Sequence, residues 1–220
     1  MTHDRIDGLD TTGSEQYWEG FYRQRARLWS GKANPVLVDV TGQLEPRTAL
    51  DVGCGEGSDA IWLAGRGWQV TAVDVSPTVL DRAAASAATA GVGSQVDWQQ
   101  HDLAHSFPHG AFDLVSCQSL HSPVAFPRDQ VLRAAARAVA PGGLLLIVGH
   151  AAPPPWAGNH DPDLHFSTPE EVLASLDLPP GLWRTDPAEV SARQTAGPDG
   201  RSGTLTDSVV AVMRLAEPDV

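Results

Sequence analysis

The chain has 220 residues, a mass of 23.3 kDa and a formal charge of −12 at pH 7. A chain of this length can bury a full hydrophobic core as one domain, so it requires no disulfide or structural metal, and Cys54 and Cys117 need not pair. The acidic balance disfavours nucleic acid as a partner. The sequence shows no apolar run of membrane-spanning length and a polar amino end, which predicts a cytoplasmic protein with no membrane contact.

The first 47 residues predict a helical segment ahead of the sheet. Residues 15–28 and 35–44 have helical patterns, and this part of the chain holds a large share of the aromatic side chains, which are Tyr17, Trp18, Phe21, Tyr22 and, just after the first range, Trp29. Aromatic residues at helical spacing usually pack into a core. A helix over the open edge of a sheet also allows some of these rings to cover a bound ligand.

Residues 48–149 predict a parallel sheet. Apolar runs of strand length alternate with helical patterns, which is typical of βαβ units. The expected strands are residues 48–52, 69–74, 96–100, 112–117 and 144–148, and the expected helices are 58–64, 77–90 and 129–140. Ser76 and Pro77 form a helix start, and Pro141-Gly142 is interpreted as a helix stop.

Residues 150–220 predict a loop, a short helix and a closing hairpin. A loop rich in Pro and His leads to Thr168-Pro169-Glu170-Glu171, which has the pattern of a capping box. Residues 183–195 and 206–215 read as strands separated by Gly197-Pro198-Asp199-Gly200, so we expect an antiparallel pair. All three segments are expected to belong to one domain.

A glycine-dense turn carries the strongest chemical signal. Residues 49–58 form an apolar strand, then Gly53-Cys54-Gly55-Glu56-Gly57, then a helix. Glycines allow a ligand to approach the main chain closely. Asp74 ends the next strand 19 positions after Gly55, where a carboxylate can hold both ribose hydroxyls of an adenosine-containing cofactor.

Further polar residues follow the third and fourth strands. Asp102-Leu103 and Gln118 therefore meet the glycine turn at the carboxyl edge of the sheet, where open α/β sheets bind ligands. The glycines alternate instead of following the G-x-G-x-x-G spacing of pyrophosphate-binding loops. Asp51 would repel a pyrophosphate, whereas it would accept a hydrogen bond from the ammonium group of S-adenosylmethionine. The residues thus favour a cationic cofactor.

These motifs resemble class I S-adenosylmethionine-dependent methyltransferases in order and spacing. The resemblance rests on residues 51–57, Val73-Asp74-Val75-Ser76, Asp102-Leu103, residues 112–115 and Pro141-Gly142-Gly143. The flanks look most like the small tellurite-resistance and thiopurine-type members. The resemblance implies a Rossmann-like α/β fold with a seven-stranded, mostly parallel sheet, a reversed last strand and helices on both faces.

The same resemblance implies a role for each matching residue. Asp51, with the backbone of Gly53, Cys54 and Gly55, would hold the methionine moiety. Asp74 and Val75 would hold ribose and adenine, Asp102 and Leu103 the adenine edge, and Gln118 the cofactor near its sulfonium. From the aromatic helix we expect Tyr22 and Trp29 to cover the cofactor, through cation–π contacts of about 0.5–2 kcal/mol.

Histidines follow the fourth and fifth strands, where a methyl acceptor is expected. Histidine titrates near neutrality and can remove an acceptor proton. His121 is the candidate base, with a helix-entry residue as an equally weighted interpretation; for His150 the structural interpretation is somewhat favoured. His160 and His165 suggest a metal ligand pair, but a solvated loop explains them better, and we predict no metal.

The sequence therefore predicts methyl transfer to a small-molecule nucleophile (oxygen, sulfur or a chalcogen) by a monomer or homodimer. We expect His150, Trp156, His165 and Phe166, with Trp29, to close over the acceptor and exclude water. In-line positioning would supply much of the acceleration. The alternatives are a nicotinamide-dependent oxidoreductase and a non-catalytic cofactor-binding module on the same scaffold.

Overall fold

The computed structural model describes residues 13–25, 31–156, 165–196 and 202–216. Within these residues the strands are β1 (Thr48–Val52), β2 (Gln69–Asp74), β3 (Val96–Gln100), β4 (Phe112–Gln118), β5 (Val139–His150), β6 (Trp183–Ala196) and β7 (Ser202–Arg214). The helices are α1 (Ser14–Arg23), α2 (Pro35–Thr41), α3 (Ser58–Gly65), α4 (Pro77–Thr89), α5 (Arg128–Arg137) and α6 (Pro169–Ser175).

The strands form one sheet in the order β3-β2-β1-β4-β5-β7-β6. The first five are parallel to one another, and β7 runs antiparallel to both β5 and β6. The predicted Rossmann-like sheet with a reversed last strand is confirmed. The carboxyl ends of β1, β2, β3, β4 and β5 therefore meet at one edge, which is where such sheets bind ligands.

The helix starts follow the predicted capping. Ser76 accepts a hydrogen bond from the backbone N–H of Val79 at the start of α4. Thr168 and Glu171 form the reciprocal capping box of α6. These caps satisfy backbone donors that the first helical turn leaves unpaired. They fix where each helix begins relative to the strand or loop before it.

The prediction for the end of α5 is wrong. The helix ends at Arg137, and Val139 already pairs with Phe112 of β4. Pro141 and Gly142 lie inside β5, where the β4–β5 register shifts and Gly142 adopts a φ of +80°. The Pro-Gly pair produces an irregularity in a strand, and it does not mark a helix stop.

The two N-terminal helices are shorter than predicted. α1 ends at Arg23, whereas the prediction ran to residue 28, and α2 ends at Thr41. The predicted residues 26–28 of the first helix lie outside the described residues. His121, interpreted as a possible helix-entry residue, lies in a loop seven residues before α5 begins at Arg128.

Each face of the sheet has its own hydrophobic core. One core packs α3 residues such as Leu63 against Ala49 and Leu146, and we call this side the α3 face. The other packs α5 residues such as Leu132 against Leu50 and Ile147, and we call it the α5 face. Successive strand residues point to opposite faces. A polar residue at a strand end is thereby assigned to one face by its position.

The closing hairpin extends past the edge of the parallel strands. β5 ends at His150, which lies opposite Asp207, whereas β7 begins five residues earlier at Ser202. The start of β7 and its β6 partners thus form a wall beside the carboxyl edge. No helix among the described residues is long and apolar enough to cross a membrane.

Candidate active site

The glycine turn after β1 is built from left-handed backbone. Gly53 has a φ of +73° and Gly57 a φ of +77°, a region that L side chains rarely adopt. A Cβ on Gly53 would lie 2.7 Å from Leu120 Cδ1, and one on Gly57 would lie 2.6 Å from the Trp98 ring. Both positions therefore require glycine for backbone conformation and for space.

Asp51 is buried at the end of β1 with an unpaired oxygen. Its side chain is 2% exposed, and Oδ2 has no hydrogen-bond partner among the described residues. Burial, followed by the charges of Asp59 and Asp74, raises the pKa of Asp51 well above its usual value, against a hydrogen bond from the Ala60 backbone. A buried acceptor without a donor is unfavourable. This site requires a cation or a hydrogen-bond donor.

Two further carboxyl groups adjoin Asp51. Asp59 Oδ1 accepts a hydrogen bond from the Asn34 backbone at 2.7 Å, and Asp74 accepts bonds from the Gly55 and Ser76 backbones, each at 3.0 Å. Burial raises the pKa of Asp59 and that of Asp74 despite these hydrogen bonds. The glycine turn thus lies against two buried acids, Asp51 and Asp74, and the half-buried Asp59.

Other predicted cofactor residues lie at neighbouring strand ends. Cys54 is half-buried, and burial raises the pKa of its thiol well above the usual value. Val75, directly after β2, is half-buried, and so is Leu103 in the turn after β3. Asp102 accepts from the Ala104 backbone at 3.0 Å and lies 3.0 Å from His105 Nδ1. The structure brings these residues to the edge that carries Asp51.

Gln118 ends β4 beside a strained residue. Its Nε2 donates to Ser116 Oγ at 2.9 Å, while Oε1 is buried without a partner among the described residues. Ser119 follows with a φ of +49°. Such conformations in non-glycine residues cluster at functional sites. A second unsatisfied acceptor, on the same sheet face as Asp51, therefore points to a donor in the cleft.

Helix α1 lies across the carboxyl edge. Trp18 Nε1 donates to Ser122 Oγ at 3.3 Å in the loop after β4. At the other side, Glu19 accepts from Ser76 Oγ, from the Thr78 backbone and from Thr78 Oγ1 at the start of α4. Tyr22 is 5% exposed and packs among the other rings of the helix. Trp29 lies outside the described residues.

His121 packs against the α5 face of the sheet. A Cβ on Gly149 would lie 3.2 Å from His121 Nε2. Gly149 is two residues from Ile147 of the α5-face core, so a side chain at this position would point to that face. Desolvation, then the charge of Arg128, then that of His150, lowers the pKa of His121 to about 4. Its ring stays partly exposed and is neutral at pH 7.

His150 lies at the end of β5 beside a buried ion pair. Its Nδ1 is 3.6 Å from Asp207 Oδ1, within ion-pair range and slightly beyond hydrogen-bond distance. Asp207 is 1% exposed and accepts a hydrogen bond from Arg193 Nε. Burial raises the pKa of Asp207, but the interactions with His150 and Arg193 outweigh it and lower the pKa. The carboxylate is therefore ionised.

The remaining predicted acceptor residues lie around the start of β7 and of α6. Trp156 lies near Gly203, with 3.7 Å between its ring and a Cβ built there. His165 Nε2 is 2.9 Å from Glu171 Oε2 in the capping box of α6, and Phe166 is half-buried next to it. His160 lies outside the described residues. No group of three metal-binding side chains occurs in the part that the structure describes.

Sequence reasoning missed four charged residues that shape this edge, namely Glu19, Asp59, Arg193 and Asp207. Their partners lie far away in the chain, so local patterns did not reveal them. For Asp207 the sequence does offer one indication: it is two residues from Val209 and four from Ala211, so it points to the same face as these core residues. A charge in line with a buried face indicates a paired or functional group.

Comparison with known proteins gives consistent matches. The family described as "Methyltransferase domain" matches residues 49–143. The ubiquinone biosynthesis O-methyltransferase of Escherichia coli O9:H4 (strain HS) is 30% identical over 201 residues, covering 80% of each chain. The enzyme of that name from Xanthomonas axonopodis pv. citri (strain 306) is 38% identical over 120 residues, 52% of this chain and 48% of that protein. The chain thus spans about half the length of the curated relatives that match it at this identity.

Solved structures show the same fold. A protein from work on the conversion of a disulfide bond into a thioacetal group during echinomycin biosynthesis has a TM-score of 0.71 at 21% identity, covering 93% of this chain and 94% of the other. TehB from Haemophilus influenzae has a TM-score of 0.61 at 16% identity, covering 91% of this chain and 66% of TehB.

Proposed function

Because the chain belongs to the class I S-adenosylmethionine-dependent methyltransferases, we propose that it transfers a methyl group from S-adenosylmethionine to a small-molecule nucleophile. The relatives named above are O-methyltransferases. That favours a hydroxyl group as the acceptor over sulfur or a chalcogen. The cofactor supplies a methyl group on a sulfonium, a reactive electrophile with a good leaving group.

The observation that carries this proposal is the unpaired oxygen of the buried Asp51, beside the buried Asp74 and the half-buried Asp59. The ammonium group of the cofactor's amino-acid end is a charged donor that matches Asp51 Oδ2. A pyrophosphate would face Asp51, Asp59 and Asp74 at close range, and like charges in a buried site repel strongly. The acids therefore disfavour the nicotinamide alternative.

Other residues of this edge fit the rest of the cofactor. The glycine turn offers backbone at Gly53 and Gly55 without side chains in the way. Asp74 uses one lone pair on each oxygen for backbone N–H groups and keeps others for ribose hydroxyls. Gln118 Oε1 is a further acceptor for the positively charged end. Tyr22 and Trp29 are proposed to cover the cofactor as part of the N-terminal segment.

The wall beyond β5 is proposed to hold the acceptor. His150 and Trp156 lie at the hairpin, and His165 and Phe166 lie before α6. Their rings can exclude water from the reaction. Their location beside the carboxyl edge is the reason for this proposal.

We further propose that the protein is cytoplasmic, forms a single domain, binds neither nucleic acid nor a membrane, and is a monomer or a homodimer. Light scattering of the purified protein measures its oligomeric state.

The charge of Asp51 provides the direct test. Asp51→Asn keeps the shape of the side chain but removes the charge-assisted hydrogen bond, which is worth about 1.5–3 kcal/mol. The Kd for S-adenosylhomocysteine, followed by tryptophan fluorescence, should rise about 10- to 100-fold. Asp81→Asn on exposed α4 is the matched control and should leave the Kd unchanged. Tighter binding of NADH than of S-adenosylhomocysteine by the unsubstituted protein would overturn the proposal.

A further inference from the structure

Three side chains on neighbouring strands form a polar chain that ends at the acceptor side of the site. Arg193 on β6 donates to Asp207 on β7, and Asp207 lies opposite His150 on β5. Asp207 is almost fully buried, while the side chains of His150 and Arg193 are 29% and 26% exposed. Nδ1 of His150 is buried 3.6 Å from Asp207 Oδ1 and has no closer hydrogen-bond partner among the described residues, so the exposed part of the ring is directed away from Asp207. That part carries Nε2.

All three residues share the α3 face with the proposed cofactor residues. His150 lies two residues from Val148 and Asp207 two residues from Val209, so each shares a sheet face with that neighbour, and both valines belong to the α3-face core. Asp51 lies two residues from Ala49 of the same core and therefore points to the same face. Asp51 is in register with Ser116, and Ser116 with Leu146, so His150 lies four residues further out along β5. At about 3.3 Å per residue this is ~13 Å, which leaves room for a small acceptor.

We propose that His150 is the general base of the reaction and that Asp207, held by Arg193, is a positioning residue that keeps the proton of the neutral imidazole on Nδ1. This inference rests on the proposed function. Nε2 is then left as the free acceptor on the exposed side of the ring. The buried carboxylate also stabilises the imidazolium that forms when Nε2 takes a proton.

The step balances without a further reactant. The acceptor O–H bond breaks and its proton goes to His150 Nε2. An oxygen electron pair forms the O–CH₃ bond while the S–CH₃ bond breaks and its pair stays on sulfur. The imidazolium then releases the proton to water. A neutral hydroxyl and a sulfonium thus give a methyl ether, a thioether and one proton.

His121 fits this role less well than His150. It packs against Gly149 on the α5 face, with its ring 6.4 Å from that of His150. Arg128 disfavours a positive charge on its ring, and its pKa of about 4 makes it a weak base. The charged and titratable groups facing His150 are Asp207 on β7, Arg193 on β6, and His121 and Arg128 after β4. Asp207 is the acid among them.

The first test compares His150→Gln with His109→Gln, a control in an exposed loop. With S-adenosylmethionine and a panel of phenols of graded acidity, His150→Gln should lower kcat about 10²- to 10⁴-fold at pH 7 for weakly acidic phenols. The loss should shrink to a few-fold for phenols that are already ionised, because these need no base. The Kd for S-adenosylhomocysteine should change less than twofold. A loss that is equal for all phenols would overturn the proposal.

The second test observes the imidazole itself and needs no turnover. Nitrogen-15 NMR of the full chain should show that the neutral form of the His150 ring carries its proton on Nδ1. Asp207→Asn should shift the proton toward Nε2 while His109 is unchanged. A proton on Nε2 in the unsubstituted protein would overturn the proposal, as would cofactor binding without transfer to any phenol. Failure to bind S-adenosylhomocysteine would instead overturn the proposed function and leave the tautomer result standing.

Discussion

Glu19 holds helix α1 to the rest of the domain, so its substitution should weaken both the fold and the site. Its carboxylate accepts hydrogen bonds from Ser76 and Thr78 at the start of α4 and pairs with Arg23 at 2.7 Å. Burial raises the pKa of Glu19, but the hydrogen bonds from Ser76 and Thr78 and the charge of Arg23 lower it from 4.5 to about 2. The ionised form is thus strongly preferred in the folded protein.

The size of this preference sets the expected effect. A pKa lowered from 4.5 to about 2 corresponds to ~3 kcal/mol between the two charge states. The Glu19 side chain is 14% exposed, but Arg23 is 70% exposed and solvent screens its charge, which reduces this to about 1–2 kcal/mol. Glu19→Gln should therefore lower the free energy of unfolding by that amount at pH 7 and the Tm by roughly 2–8 °C. A loosened α1 should also weaken binding of S-adenosylhomocysteine.

The stability that Glu19 contributes depends on pH. Since the folded pKa lies below the unfolded one, the contribution is present above pH 4.5 and is lost as the pH falls from 4.5 toward 2. Urea unfolding at pH 7 and at pH 3.5 measures it. Glu15→Gln, an exposed carboxylate on the same helix, is the control and should change stability by less than about 0.5 kcal/mol. Equal stability of Glu19→Gln and the unsubstituted protein at pH 7 would refute this reasoning.

Two further predictions concern the glycine turn and Asp51. Gly57→Ala should lower the free energy of unfolding by about 2–4 kcal/mol, since it adds overpacking to the cost of a left-handed alanine. Gly91→Ala, with a similar φ of +76° and no atom within 4 Å, should cost about 1–2 kcal/mol, and equal losses in urea unfolding would contradict the role of packing. Because the pKa of Asp51 is raised in the free protein, a bound ammonium should release protons and affinity should rise with pH. Calorimetry in buffers of different ionisation enthalpy measures this release, and proton uptake would contradict it.

The fold was predictable because local patterns carry it. Apolar strands, capped helix starts and the glycine turn each leave a signal within about ten residues. The end of α5 was not predictable in this way: an alanine-rich helix runs into β5, and Pro141-Gly142 is compatible with both a helix stop and a strand irregularity. Pairing with Phe112 decides between them, and that contact lies outside the local pattern.

The positions of the candidate site residues were predictable in part, for the same reason. Asp51 and Asp74 belong to strand ends next to a recognisable turn, so their type and position were informative. Glu19 bonds to residues 57 and 59 positions away, and Asp207 acquires its meaning from Arg193 on another strand and from His150 on a third. Such contacts arise when the sheet forms. Sequence could place the histidines after the fourth and fifth strands, but it could not show that His121 packs against Gly149 or that His150 lies beside Asp207.

The burial of Asp51 explains how a site with few direct contacts can bind a cation selectively. In the free protein its carboxyl group lacks a partner at Oδ2 and lies near Asp59 and Asp74, so the folded state carries an unfavourable electrostatic contribution. An ammonium donor removes both the unpaired acceptor and the repulsion, and binding therefore stabilises the fold as well as the complex. An anionic ligand would increase the repulsion at the same position. Selectivity follows from the arrangement of these three carboxyl groups, before any contact to adenine or ribose is counted.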